Sequence, residues 1–512
     1  MKGASMVTVR KVNQEWVAED RHSLAYATPV LDEQQDVILL DAQDNNGDVV
    51  FSILMPFKSC DENDYPIRNL RQTVIWAKGS SHDFTYHGNA ADVDRGAAEV
   101  NFFQASAQVV DPPDAVTLEL KMPNVPIQGG PHGQSASNPY ICAAFDLSQM
   151  GVLEAFADYH VTKYEPIIQE ANHRYVHHMI ANPCGGKPRY AVGEDPAAWY
   201  MLDCESMIDC AGANFVWAVG GGPVVFPPEA GYPLPTSSVR YIALQMHYYN
   251  PSLDAGLFDS SGLKLTLTKT LRPNNVGVFT LNGGTSNGMA DPLPAGMPEV
   301  FRYLQVPSTC FDRSFPQGTD EVTVLGAFHH LHEKGTKMEI QLIRDGTNMG
   351  SMRLEKFYDF QHQSFAEAEF STLRRTDNLL VRCRYDTSSE SVPVSFGDLT
   401  QQEMCYGGMY YYPAVPGLTA RVQKSSNPQQ HRTRCRGGTV LSAPFEPNPM
   451  PCIPEGTLNV TTSLISGSTS SSAASMTSTE ESLLGGAHYR SSHFSRLCCV
   501  FLGVLPLMRV GH

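Results

Sequence analysis

Apolar and polar residues alternate with a period of two in short runs broken by turn residues, the pattern of strands half-buried on a sheet. Val37-Ile38-Leu39-Leu40 and the run from Val49 to Leu54 flank Asp44-Asn45-Asn46-Gly47. Asn-Gly between two apolar runs predicts a tight β-hairpin. The runs His160 to Ile168 and Tyr241 to Tyr248 predict two more strands. No heptads or internal repeats appear. A connector, Asp111-Pro112-Pro113-Asp114, separates a first block (1–108) from two further strand-rich blocks (115–268 and 269–430). Beyond Ser442 the alternation stops. Thr461 to Ser482 is dominated by Ser and Thr, which bury too little apolar area to offset the entropy of ordering, so 443–512 reads as a disordered tail. It ends in an apolar run, Leu497 to Met508, shorter than the ~20 residues of a membrane-spanning helix. A polar stalk before such a run could be a lipid-anchor signal or a truncated span, attaching the protein to a membrane, or the product of a mispredicted terminal exon.

Composition supports this β-rich reading and narrows the partners. With 35 Pro, 41 Gly and 18% charged residues in 512, the chain is turn-rich rather than helical. Its formal charge of −16 argues against nucleic acid, whose phosphates would be repelled. None of the 12 cysteines stands in a CxxC spacing. Scattered disulfides formed in an oxidising compartment are the better reading, with buried free thiols in a cytosolic protein as the alternative. Asn459-Val460-Thr461 is a glycosylation sequon, consistent with the secretory pathway or the extracellular space. Met1 to Asp20 nevertheless contains no apolar segment of the kind a signal peptide requires.

The candidate chemistry lies in histidines and one methionine. His177-His178, His247 in Gln245-Met246-His247-Tyr248, and His330-Leu331-His332 precede Glu403-Met404-Cys405. Imidazole suits several metals, but a thioether is soft and selects Cu(I) over zinc, calcium or magnesium. Adjacent residues on a regular strand point to opposite faces, so His177 and His178 can share one metal only through a bulge or turn. His247 on a separate strand would complete three nitrogens. His330 and His332 share a face, and His329 points away from it. Each piece read alone has an ordinary explanation, a surface or core histidine pair and a packing methionine. Their combination and order do not.

These motifs carry a resemblance. His160-x-x-x-Tyr164-Glu165-Pro166, Val176-His177-His178-Met179, Leu244-Gln245-Met246-His247-Tyr248, His330-x-His332-x-x-Gly335 and Glu403-Met404-Cys405 stand in the order found in the copper type II, ascorbate-dependent monooxygenases. The chain resembles that family over roughly 115–430. The first block resembles the DOMON domain of its dopamine β-hydroxylase branch, through Pro56-Phe57-Lys58-Ser59-Cys60-Asp61, Asp64, Ile67 and Val74-Ile75-Trp76-Ala77-x-Gly79. That match starts mid-domain, so the first strands and a signal peptide are expected to be missing. An incomplete sandwich of this kind exposes unpaired edges.

The resemblance implies an all-β fold: two antiparallel jelly-roll β-sandwich catalytic domains facing a solvent-filled cleft, preceded by a truncated DOMON sandwich. It implies two copper ions. His177, His178 and His247 would hold the electron-transfer copper, and His330, His332 and Met404 the one that meets dioxygen. Ascorbate would supply electrons for hydroxylating a C–H bond of a small molecule. Gln245 is implied as a hydrogen bonder beside the first copper, and His160 as structural. Implied disulfides are Cys142–Cys204, Cys184–Cys210 and Cys383–Cys405, then Cys310–Cys435 and Cys60–Cys452; Cys498 and Cys499 have no expected partner. The peptide-hydroxylating branch carries an arginine, able to pair with a substrate carboxylate, where this chain has Phe328. That favours a small aromatic or amphipathic substrate, such as an amine. Two other readings are a copper-binding extracellular module without turnover and a zinc hydrolase using Glu333 as its base.

Overall fold

The computed structural model describes residues 4–433 apart from short internal segments, of which the longer are 85–94, 104–109, 128–136, 189–197, 205–209, 285–291, 416–421 and 424–429. The calls on the tail, on Cys435 and Cys452, and on Cys498 and Cys499 fall outside the described residues. The fold is nearly all β, and no helix among the described residues is long and apolar enough to cross a membrane.

Two compact units form, one within 1–108 and the other within 109–448. In the first, Ser5–Val12 pairs antiparallel with Glu15–His22, and Val30–Leu31 adds to the latter. The expected pairing is present as Ile38–Asn45 antiparallel to Asp48–Leu54, with Asn45 opposite Asp48. Val7, Val9, Phe51, Ile53, Met55, Ile67, Val74 and Phe102 form the apolar core of this unit.

The second unit contains two sandwich lobes. In the first lobe a five-stranded sheet runs in the order Ala198–Leu202, Tyr140–Asp146, Tyr241–Tyr248, Val176–Cys184, Phe215–Ala218. Its inner face meets a second sheet centred on Asp158–Ile167 and Gly262–Thr268, and Ile141, Ala143 and Leu244 pack in one core with Leu118, Val161 and Leu265. The second lobe repeats the plan. Gly277–Gly284, Cys405–Tyr412 and Glu321–His330 face a sheet built on Gly335–Arg344, Asn378–Tyr385 and Val300–Val306.

Tyr410 joins the lobes. It belongs to a strand of the second lobe, yet its ring lies in the core of the first. Its hydroxyl lies 3.0 Å from that of Tyr164 and donates to the Asn214 carbonyl at 2.5 Å. Such a buried hydroxyl is tolerated because its polar atom is satisfied. His160, expected to be structural, does similar work: its Nδ1 accepts from the Arg272 amide (3.0 Å) and its Nε2 lies 2.8 Å from Asn275 Oδ1.

Candidate metal centre

The first histidine group depends on a strand irregularity. Val176 pairs with Tyr248 and His178 with His247, which leaves His177 as an extra residue in the ladder. That is the bulge the adjacent pair requires. It brings His177 and His178 to the same place as His247 on the neighbouring strand. His178 Nδ1 lies 3.3 Å from His177 Nδ1 and 3.3 Å from His247 Nδ1, and ligand atoms of all three fall within 4.8 Å of one another. His177 Nε2–H donates to the Phe360 carbonyl (3.0 Å), which leaves the Nδ1 lone pair facing the cluster. Tyr140 stacks on the His247 ring at 4.1 Å, 6° from parallel.

Burial keeps these rings neutral. It is the largest cause that lowers His177 to about 3 and both His178 and His247 well below the usual imidazole range, with neighbouring histidines adding to it. Three neutral imidazoles whose Nδ1 atoms converge form a nitrogen site for a cation. The donor set fits copper.

The second group lies at the end of the Glu321–His330 strand. His330 Nδ1–H donates to Gln363 Oε1 (2.8 Å), and His332 Nδ1–H to the Gln402 carbonyl (3.0 Å). Both hydrogen bonds leave Nε2 as the lone-pair nitrogen, and His332 Nε2 is buried without a partner. Burial lowers His330 and takes His332 to about 3. His329 is buried elsewhere, with neither ring nitrogen bonded, as expected for a residue facing away. Met404 immediately precedes the Cys405–Tyr412 strand. The ladder between these strands ends where His330 pairs with Tyr406, two residues after Met404.

Glu403 clamps the two segments together. Its buried carboxylate accepts from the amides of His332 (3.0 Å), Lys334 (2.7 Å) and Met404 (3.1 Å). Burial outweighs those bonds and pushes its pKa up to about 8. Tyr385 donates to the Met404 carbonyl at 2.8 Å. Cys383–Cys405 then staples the start of the methionine strand to the facing sheet. Cys142–Cys204 and Cys184–Cys210 complete the three described disulfides, all paired as expected.

Gln245 is buried two residues before His247, and its side-chain amide donates to the Cys204 carbonyl at 3.3 Å. One expectation is revised: the histidine groups are not separated by a solvent-filled cleft. The His178 and His330 rings are 5.4 Å apart, and Phe360 stacks on His177 at 4.1 Å while meeting His332 edge-on at 6.1 Å. The lobes are held closed here because the Gln363 amide donates to the Val219 carbonyl (2.7 Å), which docks the Phe360 segment on the first lobe. Phe360 and Gln363 went unnoticed in the sequence, where neither stands in a motif.

Comparison with known proteins identifies the domains in which these groups lie. The model of the copper type II ascorbate-dependent monooxygenase N-terminal domain matches residues 118–255, and that of the C-terminal domain matches 276–435. The chain belongs to this family. A DOMON domain model matches residues 1–79, so the chain combines a DOMON match with matches to both domains of the family. Human DBH-like monooxygenase protein 1 is 28% identical over 399 residues, covering 75% of this chain and 61% of that protein. Human dopamine beta-hydroxylase is 27% identical over 399 residues, covering 75% and 60%. MOXD1 homolog 1 of Drosophila melanogaster is 24% identical over 403 residues, covering 76% and 56%. The chain thus spans about three-fifths of the length of the curated relatives it matches.

Proposed function

We propose that this monooxygenase chain hydroxylates a C–H bond of a small aromatic or amine substrate with dioxygen and ascorbate, in the lumen of the secretory pathway or outside the cell. Two copper ions would be held, one by His177, His178 and His247 and the other by His330, His332 and Met404. The carrying observation is the convergence of three buried, neutral Nδ1 atoms beside a second histidine pair whose Nε2 lone pairs are left for a ligand. Bound copper would supply one-electron transfer and dioxygen activation; the chain supplies ligand geometry and exclusion of water.

Each residue has a definite task in this reading. The Phe360 carbonyl, Gln363 and the Gln402 carbonyl fix which ring nitrogen carries the proton, so the opposite nitrogen stays basic. Glu403 and the Cys383–Cys405 staple limit how far the soft Met404 ligand can move. Phe328 is buried and lies 5.9 Å from the Tyr406 ring, an apolar aromatic surface in place of a carboxylate-binding cation. This supports an uncharged or amine substrate over a peptide acid.

Copper content and ascorbate-driven oxygen uptake, measured on the purified protein and on Met404→Ala with panels of amines, phenols and peptides, test the proposal. Two coppers per chain, with amine-stimulated uptake lost in the variant, are expected. Two coppers without uptake on any substrate would point to a non-catalytic copper module. Zinc in place of copper would refute the reading.

A further inference from the structure

Glu333 stands next to His332, yet neither copper ion would use it. It lies in the turn between the Glu321–His330 and Gly335–Arg344 strands. The Gly335 amide donates to the His332 carbonyl (3.1 Å) and the Lys334 amide to Glu403 (2.7 Å), so the backbone on either side of Glu333 is fixed. Its side chain reaches solvent and makes no hydrogen bond or ion pair with any described residue. Lys334 attracts it and Glu390 repels it, but the Lys334 ammonium is 2.6 Å from Glu390. One ammonium therefore serves two carboxylates, and a net negative charge remains at Glu333.

Aromatic rings border the same region. Tyr249 follows the Tyr241–Tyr248 strand, and its ring is 6.3 Å from His177 and 6.1 Å from Phe360. Phe360 also meets His332, the residue before Glu333, edge-on at 6.1 Å. Tyr249 thus approaches the histidine groups from the first lobe and Glu333 from the second. The Glu333 charge adds to burial in raising the Tyr249 hydroxyl pKa, which puts the two side chains within electrostatic reach of each other. The Tyr249 hydroxyl likewise bonds to no described residue.

An unpaired carboxylate beside an aromatic ring suits an organic ammonium. The carboxylate accepts charge-assisted hydrogen bonds from the N–H groups, and the ring face attracts the cation. A carboxylic acid would be repelled. A metal ion is a poor fit, because one carboxylate and one phenol supply too few ligands for it. Since Phe360 and His177 lie behind Tyr249, an amine held here would turn its apolar end toward the histidine groups.

We propose that Glu333, together with Tyr249, forms a subsite that holds the ammonium group of a small aromatic amine and so sets the preference for cationic over neutral substrates. The subsite rests on the monooxygenase reading for the reaction that follows, but the binding step itself does not require copper.

The test compares phenethylamine with 2-phenylethanol, which has the same skeleton and no charge, on the full chain. Calorimetric titration of the copper-free protein reads binding, and ascorbate-driven oxygen uptake by the copper-loaded protein reads turnover. Glu333→Gln should weaken phenethylamine binding about tenfold, raise its KM by a similar factor and reduce the salt dependence of binding seen in the parent. Affinity for 2-phenylethanol should not fall with it. Glu333→Asp should restore part of the preference, and Tyr249→Phe should retain more of it than Tyr249→Leu, because the ring stays. An unchanged amine-to-alcohol preference in Glu333→Gln would overturn the proposal, as would equal loss for both compounds, the mark of a merely structural role. If a Glu333 variant fails to fold, the parent's own preference for the amine and its weakening by salt decide the matter. Amine binding that depends on Glu333 without oxygen uptake would uphold the subsite and refute the monooxygenase reading; uptake driven by 2-phenylethanol alone would do the reverse.

Discussion

At Phe360 one carbonyl oxygen accepts from His177 Nε2 and from Gln363 Nε2 (2.9 Å), while Gln363 Oε1 accepts from His330. Three directional bonds, passing through Phe360 and Gln363, thus connect the two histidine groups. Gln363→Leu should weaken copper at the His330–His332 site about 10- to 100-fold, the usual cost of losing a bond that orients a ligand. Stepwise copper titration would show it, and unchanged affinity would refute the role. The histidine pairs and Met404 could be singled out in the sequence because they stand in local motifs. Gln363 could not: its role arises from contact with a residue 33 positions away. The histidines also set a pH response. His177 and His332 stay neutral in the fold down to about 3, whereas an unfolded imidazole takes up a proton near 6.5. Below that value the unfolded chain binds more protons, so stability present above about pH 6.5 is lost as pH falls toward 3. The copper-free protein should therefore show a melting temperature that declines from pH 7 to pH 5, and a flat profile would count against neutral buried rings.

Strands explain why some of this could be read in advance and some could not. The pairing of Ile38–Asn45 with Asp48–Leu54 was evident from alternation and turn chemistry, since both signals are local. The His177 bulge was only a condition of the chemistry. Nothing within Val176-His177-His178 marks where the ladder shifts, because the shift is defined against the Tyr241–Tyr248 strand. The Cys383–Cys405 bridge closes 22 residues and anchors the strand that Met404 precedes. Replacing both cysteines with serine should cost about 3 kcal/mol of stability by loop-closure entropy. It should also weaken copper at the methionine site while sparing the three-histidine site. Equal loss at both sites would mean that the bridge supports only the general fold.

Across the whole second unit, nothing in the separate strand-rich blocks of the chain indicates that one lobe completes the other's core. Tyr410 does so, with its hydroxyl bonded to Tyr164 and Asn214. The lobes should therefore unfold together. Tyr410→Phe removes the donor to the Asn214 carbonyl, while the Tyr164 hydroxyl keeps its bond to the Val216 carbonyl; it should cost about 1 kcal/mol, lowering a single calorimetric transition. Two transitions, only one of them shifted, would show the lobes to be separable.

The shared Phe360 carbonyl has a practical consequence for anyone wishing to retune this protein. Were both histidine groups to hold redox metals, a substitution changing the hydrogen bond behind one histidine would also disturb the second bond on the same oxygen. The two potentials would then move together, and a variant library that treats the centres as separate dials would search combinations the backbone does not offer.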